Sequence, residues 1–230
     1  MSILDRSRNA EFGVFRGSQN MTLELPRIYP ITDKRLARKS SHFVILKELS
    51  RGGARFVQIR DKETPARELL RDLEKCRQYA ETHKITLILN DRCDLVLSAN
   101  LMGVHLGQDD IPPESARTLI GKKRIIGYST HNLSQARQSS GLPVDYIGFG
   151  PVYATATKAN AGSAAGLKKL AQVCRAATTP VVAIGGIGLE EIRPVLKAGA
   201  ASAAVISAIM TAENIAKQME LFHETAYGAQ

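Results

Sequence analysis

Residues 55–79, RFVQIRDKETPARELLRDLEKCRQY, hold one complete structural unit. Arg55–Arg60 is a short, mostly apolar run, and Asp61 to Pro65 is polar and closes on a proline. From Glu68 onward the apolar residues Leu69, Leu70, Leu73, Cys76 and Tyr79 recur at spacings of three and four. The first pattern predicts a strand covered on both faces. The last predicts a helix with one apolar stripe, and Pro65 lies where a helix start tolerates it.

Working outward, the same rhythm repeats along the chain. Strands are predicted at Arg27–Thr32, Arg55–Arg60, Ile85–Asn90, Gly103–Leu106, Arg124–Ser129, Val144–Phe149, Pro180–Ile184 and Ala203–Ile206. Helical spacing fills the segments between them, as in the stripe Ile192, Val195 and Leu196. Alternating strands and helices imply a parallel sheet with right-handed crossovers. Eight units with no second block of composition predict an α/β protein, a (β/α)8 TIM barrel in a single domain over residues 23–230, in preference to an open doubly wound sheet. Residues 1–22 are polar, hold no apolar signal core and read as a disordered extension. Met21 offers an alternative start just before the first strand.

At 230 residues the chain can bury roughly 70% of its unfolded surface without staples. The net charge of +9 arises from Lys and Arg interspersed with acids, which reads as a solvated surface. The densest cluster, Lys34, Arg35, Arg38 and Lys39, is read the same way. Trp is absent and aromatics are few, which speaks against stacking on single-stranded nucleic acid. No apolar run reaches the roughly 20 residues of a membrane span. Cys76, Cys93 and Cys174 have no metal-binding spacing and read as small core residues of a reducing, cytoplasmic compartment.

A barrel places its chemistry at the C-terminal ends of its strands. After strand two, Gln58, Arg60 and Lys62 alternate to one side, an amide and two cations suited to a multiply charged anion. Solvent-facing residues at a strand end are the plainer alternative. Strand three ends in Asn90-Asp91, and strand four runs from His105 into Asp109-Asp110. Two carboxylates and a substrate phosphate suffice to hold Mg²⁺; a helix cap at Asp91 and a polar loop at Asp109-Asp110 are the alternatives. Ser129 closes strand five and offers a hydroxyl. His131 reads as a structural or helix-start residue rather than a base, and His105 as a satisfied core residue. After strand six, Thr155, Thr157 and Lys158 open a small, polar loop that could close over a substrate. Gly185-Gly186 after strand seven and Ile206-Ser207 after strand eight fit a backbone-based phosphate site. No nucleophile stands out, so stabilising a leaving diphosphate and holding a second substrate close would carry the rate.

Taken in order, the segments 58–62, 90–91, 105–110, 127–131, 150–158, 185–187 and 206–209 resemble thiamine-phosphate synthase. That resemblance spans about residues 27–215 and implies a TIM barrel using Mg²⁺. It implies coupling of an aminopyrimidine hydroxymethyl diphosphate with a thiazole phosphate, carboxylated or not, to give thiamine phosphate and pyrophosphate. It places the pyrimidine-diphosphate contacts on Gln58, Arg60, Lys62, Asn90, Ser129 and Lys158, and the metal ligands on Asp91 and Asp110. It places the thiazole-phosphate contacts on Thr155, Thr157, Gly186, Ile206 and Ser207, the last two mainly through backbone. Arg60, Lys62, Lys158 and Ser129 would be the catalytic groups, acting on a dissociative loss of pyrophosphate followed by attack of the thiazole nitrogen. The partners implied are small molecules, neither nucleic acid nor membrane, with homo-oligomers left open. The rival readings are a thiazole tautomerase on the same barrel, another phosphate-sugar barrel such as an epimerase, for which no acid/base pair can be placed, and a non-catalytic thiazole-phosphate-binding regulator.

Overall fold

The computed structural model describes residues 23–155, 157 and 162–228. All eight predicted strands are present, each boundary within two residues of the expected one. They are β1 (Ile28–Thr32), β2 (Phe56–Ile59), β3 (Thr86–Asn90), β4 (Gly103–Leu106), β5 (Ile125–Thr130), β6 (Tyr146–Phe149), β7 (Val181–Ile184) and β8 (Ser202–Val205). They pair in parallel and in chain order, and β8 closes onto β1 through Ile28–Ala203, Tyr29–Ala204 and Pro30–Val205. The protein is a closed (β/α)8 barrel. The proposed extension, residues 1–22, lies outside the described residues.

Period-two alternation divides the strands into two apolar layers. Outward residues such as Val57, Ile59, Leu87, Leu89 and Val104 join one large core beneath the helices. Inward residues form a second cluster from Tyr29, Ile31, Phe56, Ile88, Ile125, Tyr146, Val182 and Ala204. The helix predicted from residue 68 runs Ala66–His83 and buries Leu69, Leu73, Cys76 and Ala80, while Leu70 and Tyr79 flank that stripe. All three cysteines are free thiols, two of them buried. Among the described residues no helix is long and apolar enough to cross a membrane.

The underside of the barrel is closed by the segment ahead of β1. Leu23 and Leu25 pack on the inner cluster. The Arg27 backbone N–H donates to the Tyr227 hydroxyl at 2.8 Å, and Arg27 Nη1 donates to the Ala226 carbonyl at 2.6 Å. The C-terminal helix Ile215–Tyr227 is thereby tied to the entry of β1.

Candidate active site

At the C-terminal ends of the strands the barrel opens into a cavity of about 360 Å³, within the size range of small-molecule sites. Its wall is every second strand residue. Tyr29 and Ile31 come from β1, Val182 and Ile184 from β7, and Gln58, Asn90, His105, Ser129 and Gly148 from the strands between. Glycine is required at one inward position and leaves little room at a second. A Cβ on Gly127 would collide with the Tyr146 ring and His105 Nδ1, and one on Gly148 would come within 3.2 Å of His105 Cε1. Among apolar residues the wall carries amides, hydroxyls and the imidazoles of His105 and His131, which suits a heterocycle.

Beside it lies a second, shallower recess of about 610 Å³, lined by Lys34, Arg35, Arg60, Lys62 and Thr157 among acids. Arg60 and Thr157 line both spaces. A pocket walled mainly by apolar groups, amides and hydroxyls, joined through Arg60 to a recess of mixed charge, can take a ring that carries a phosphate group. Arg60 Nη1 stands 3.8 Å from Asp33 Oδ2, and Arg60 Nε is buried with no hydrogen-bond partner among the described residues. A buried donor left without an acceptor is costly, so this N–H calls for an acceptor that the described residues do not supply.

The alternation argument holds for Gln58 and Arg60 but not for Lys62. Strand β2 ends at Ile59, and Lys62 lies three residues beyond it on a loop. Its ammonium still reaches the site, 3.3 Å from Asp91 Oδ2.

Asp91 and Asp110 come from neighbouring strand ends and meet side chain to side chain. Burial, then the hydrogen bond with Asp110 and its negative charge, raise the proton affinity of Asp91, against the lowering effect of Lys62. Asp91 is not a side-chain helix cap; the helix Cys93–Ser98 begins after Arg92 without one. Its backbone is left-handed, φ +65°, a conformation that Asp tolerates and that often marks functional sites. Asp110 Oδ2 also accepts from the Gly107 N–H at 2.6 Å, whereas Asp109 is exposed. Among the described residues no group of three or more His, Cys, Asp or Glu side chains is placed to hold a metal. Two opposed carboxylates, one with raised proton affinity, are nonetheless a donor set that a hard divalent cation fits when phosphate and water complete its shell.

The loop carrying Arg60 and Lys62 is anchored by a network that residue spacing does not reveal. The Thr32 hydroxyl accepts from the Arg60 N–H at 3.3 Å and bonds His42 Nδ1 at 2.7 Å. His42 Nε2 bonds Asp61 Oδ2 at 3.0 Å, and Asp61 also takes Lys34 at 2.9 Å and the Thr64 hydroxyl at 2.7 Å. Lys34, grouped above with surface cations, is thus a structural partner, while Arg35 is exposed. Burial alone would raise the Asp61 proton affinity, but the bonds from His42, Lys34 and Thr64 outweigh it and hold the carboxyl well below the usual range. Its folded pKa is therefore below the unfolded value of about 3.9. The stability it contributes is full above that value and is lost as pH falls below it. Asp61→Ala is expected to cost about 3 kcal/mol near pH 7, since it strands buried partners. The deficit relative to the unsubstituted protein should shrink below about pH 4. Urea melts at several pH values measure this; a deficit independent of pH would contradict the assignment.

Of the remaining expected positions, Ser129, Thr155, Thr157 and Ile206 line the cavity, and Gly186 and Ser207 are not among its lining residues. Ser129 Oγ bonds His105 Nε2 at 3.0 Å, so His105 is satisfied, as anticipated, yet it touches the site rather than the core alone. His131 also lines the cavity; its backbone N–H donates to Gln135 Oε1 and its Nδ1 bonds the Gly150 carbonyl at 2.9 Å. Thr155, Thr157 and Ile206 line the cavity, and the two threonine hydroxyls lie 3.3 Å apart. Gly186, at φ +63°, packs so tightly on Tyr153 and Ala154 that a Cβ would not fit. Ser207 begins the short helix Ser207–Met210 after β8. Lys158 lies outside the described residues, as do residues 156 and 159–161 of the loop expected to close over substrate.

The profile of a family described as thiamine monophosphate synthase matches residues 28–209 of this chain. A thiamine-phosphate synthase of Methanospirillum hungatei is 42% identical over 195 residues, covering 85% of this chain and 95% of that relative. One from Chloroflexus aurantiacus is 40% identical over 189 residues, covering 82% and 87%. The solved thiamine phosphate pyrophosphorylase of Pyrococcus furiosus superposes with a TM-score of 0.80 at 35% identity, covering 87% of this chain and 95% of that one.

Proposed function

The chain belongs to the thiamine monophosphate synthase family, and from that membership we propose how the mouth of this barrel works. The enzyme is a transferase that joins the aminopyrimidine hydroxymethyl diphosphate to the thiazole phosphate, releasing thiamine phosphate and pyrophosphate. The observation that carries the site assignment is the meeting of the Asp91–Asp110 pair with Lys62 at the edge of the recess of mixed charge, next to the cavity.

In this reading the pyrimidine ring enters the cavity against Gln58, Asn90 and Ser129, and its diphosphate lies toward the recess. Arg60 supplies the planar fork, including the orphaned Nε–H, and Lys62 a point charge. Asp91 and Asp110 would hold Mg²⁺, which when bound neutralises charge on the diphosphate leaving group. Arg60, Lys62 and Lys158 receive the negative charge that grows on the departing pyrophosphate. The methylene carbon left behind is supported by the electron-rich aminopyrimidine. The thiazole nitrogen then attacks it, held by its own phosphate at Thr155, Thr157, Gly186 and the backbone of Ile206 and Ser207. No protein nucleophile enters. A thiazole tautomerase would have no use for the carboxylate pair, which favours the synthase over that rival; a non-catalytic regulator would have none either.

The direct test is a coupling assay with both substrates, following pyrophosphate release and thiamine phosphate together. Activity should depend on Mg²⁺ and fall by at least about 10³-fold on chelation, the loss expected where a metal supplies several kcal/mol of charge stabilisation. Coupling that persists unchanged in chelator would remove the metal assignment. Failure to couple at all under saturating Mg²⁺ would remove the synthase reading.

A further inference from the structure

The inner wall holds a continuous chain of hydrogen bonds that the coupling chemistry leaves unassigned. Gln58 Nε2 donates to the Tyr29 hydroxyl at 3.0 Å. The Tyr29 and Tyr146 hydroxyls lie 2.8 Å apart. The Tyr146 hydroxyl is 3.0 Å from His105 Nδ1, and His105 Nε2 is 3.0 Å from Ser129 Oγ. We propose that Tyr29, Tyr146 and His105 are positioning residues that form a one-way relay and hold the Ser129 hydroxyl as a proton donor toward the ligand. The proposal rests on the reading that this cavity takes the aminopyrimidine.

The direction follows from counting protons. Both phenols are buried, with Tyr29 at 1% and Tyr146 at 0% exposure. Burial pushes both above their ordinary proton affinity, so each keeps one proton to give. Tyr29 already accepts from the Gln58 amide, whose nitrogen cannot accept in return. Its own proton therefore goes to Tyr146, and the Tyr146 proton goes to His105 Nδ1. A neutral imidazole that accepts at Nδ1 carries its hydrogen on Nε2, and that hydrogen goes to Ser129 Oγ. The Ser129 proton is then left for the cavity. The reversed chain needs the Gln58 amide turned so that Oε1 accepts from Tyr29, and it would carry the His105 hydrogen on Nδ1.

The backbone is shaped to permit this line. Gly127 sits beneath the Tyr146–His105 contact, where any Cβ would overlap both groups. The outcome is a polarised wall. Gln58 keeps Oε1 as an acceptor at one end, and Ser129 offers a donor at the other. An aminopyrimidine carries the complements of both, an exocyclic amine and ring nitrogens. A ring with oxygens in place of those nitrogen groups would meet the wrong sign at each end.

The test is ring-nitrogen NMR on the full-length protein labelled in histidine, with the His105 signals assigned by their absence in His105→Gln. The expected result is a neutral His105 protonated at Nε2. An Nδ1-protonated ring, or an imidazolium, would overturn the relay. Tyr146→Phe removes the donor that fixes the tautomer. It should shift His105 toward the Nδ1-protonated form and lower kcat/KM for the pyrimidine diphosphate about tenfold, the worth of one neutral hydrogen bond, leaving the KM for thiazole phosphate unchanged. His105→Gln, which still offers a donor near Ser129, should retain more activity than His105→Leu. An unchanged tautomer with unchanged kinetics in Tyr146→Phe would refute the proposal. If that variant does not fold, the tautomer of the unsubstituted protein decides. Should the protein fail to couple the two substrates, the synthase reading falls while the tautomer measurement still judges the relay.

Discussion

Replacing Asp91 by Asn is expected to lower turnover by about 10³-fold or more while leaving the melting temperature nearly unchanged. The argument starts from charge. Asp91 faces Asp110 on one side and Lys62 on the other, so it is the hinge between the carboxylate pair and the recess of mixed charge. Asn keeps the shape, the left-handed backbone at φ +65° and the contact with Asp110, but removes the charge that attracts a divalent ion. Losing several kcal/mol of leaving-group stabilisation corresponds to three or more decades in rate. Asp91→Ala should show the same loss of rate, with an added drop in stability of about 1 kcal/mol because Ala resists the left-handed region. Comparing melts and turnover of the two variants separates chemistry from fold. Wild-type turnover in Asp91→Asn would show that the pair does not act in catalysis.

The second large effect is expected at Arg60. Arg60→Ala should reduce kcat/KM for the diphosphate substrate by about 10² to 10³, the usual loss on removing one preorganised donor group from a developing anion. Arg60→Lys should recover little of it. A Lys ammonium cannot reproduce the planar fork or fill the place of the buried Nε–H. The KM for thiazole phosphate should stay within about twofold, since that ligand is assigned to the loops after β6, β7 and β8. Steady-state kinetics with each substrate varied in turn provides the check. Equal damage to both KM values would mean that Arg60 shapes the barrel mouth as a whole.

The barrel was legible because its rule is local and repeated. A run such as Phe56–Ile59 needs only two covered faces to be read as a parallel strand, and each strand end then names its own rim residues. Asn90 and Asp91 lie where that reasoning puts them. It fails three residues beyond the strand, where Lys62 has left the pleat and its direction is set by a loop. It also fails wherever the partner is distant in sequence. Tyr29 and Tyr146, 117 residues apart, look like ordinary apolar strand residues until the barrel closes and their hydroxyls meet. Lys34 looks like surface charge until Asp61 is found beside it. Neither spacing nor composition distinguishes Asp109 from Asp110; the backbone of the 107–110 turn does so by turning Asp110 onto the Gly107 N–H.

The binding of Arg27 to the last turn of the Ile215–Tyr227 helix has an architectural consequence. The first strand is entered, and the final helix left, on the floor of the barrel, at the pole opposite the entrance. Between residues 23 and 228 the chain thus both starts and finishes away from the doorway, so substrate traffic crosses neither of these two stretches.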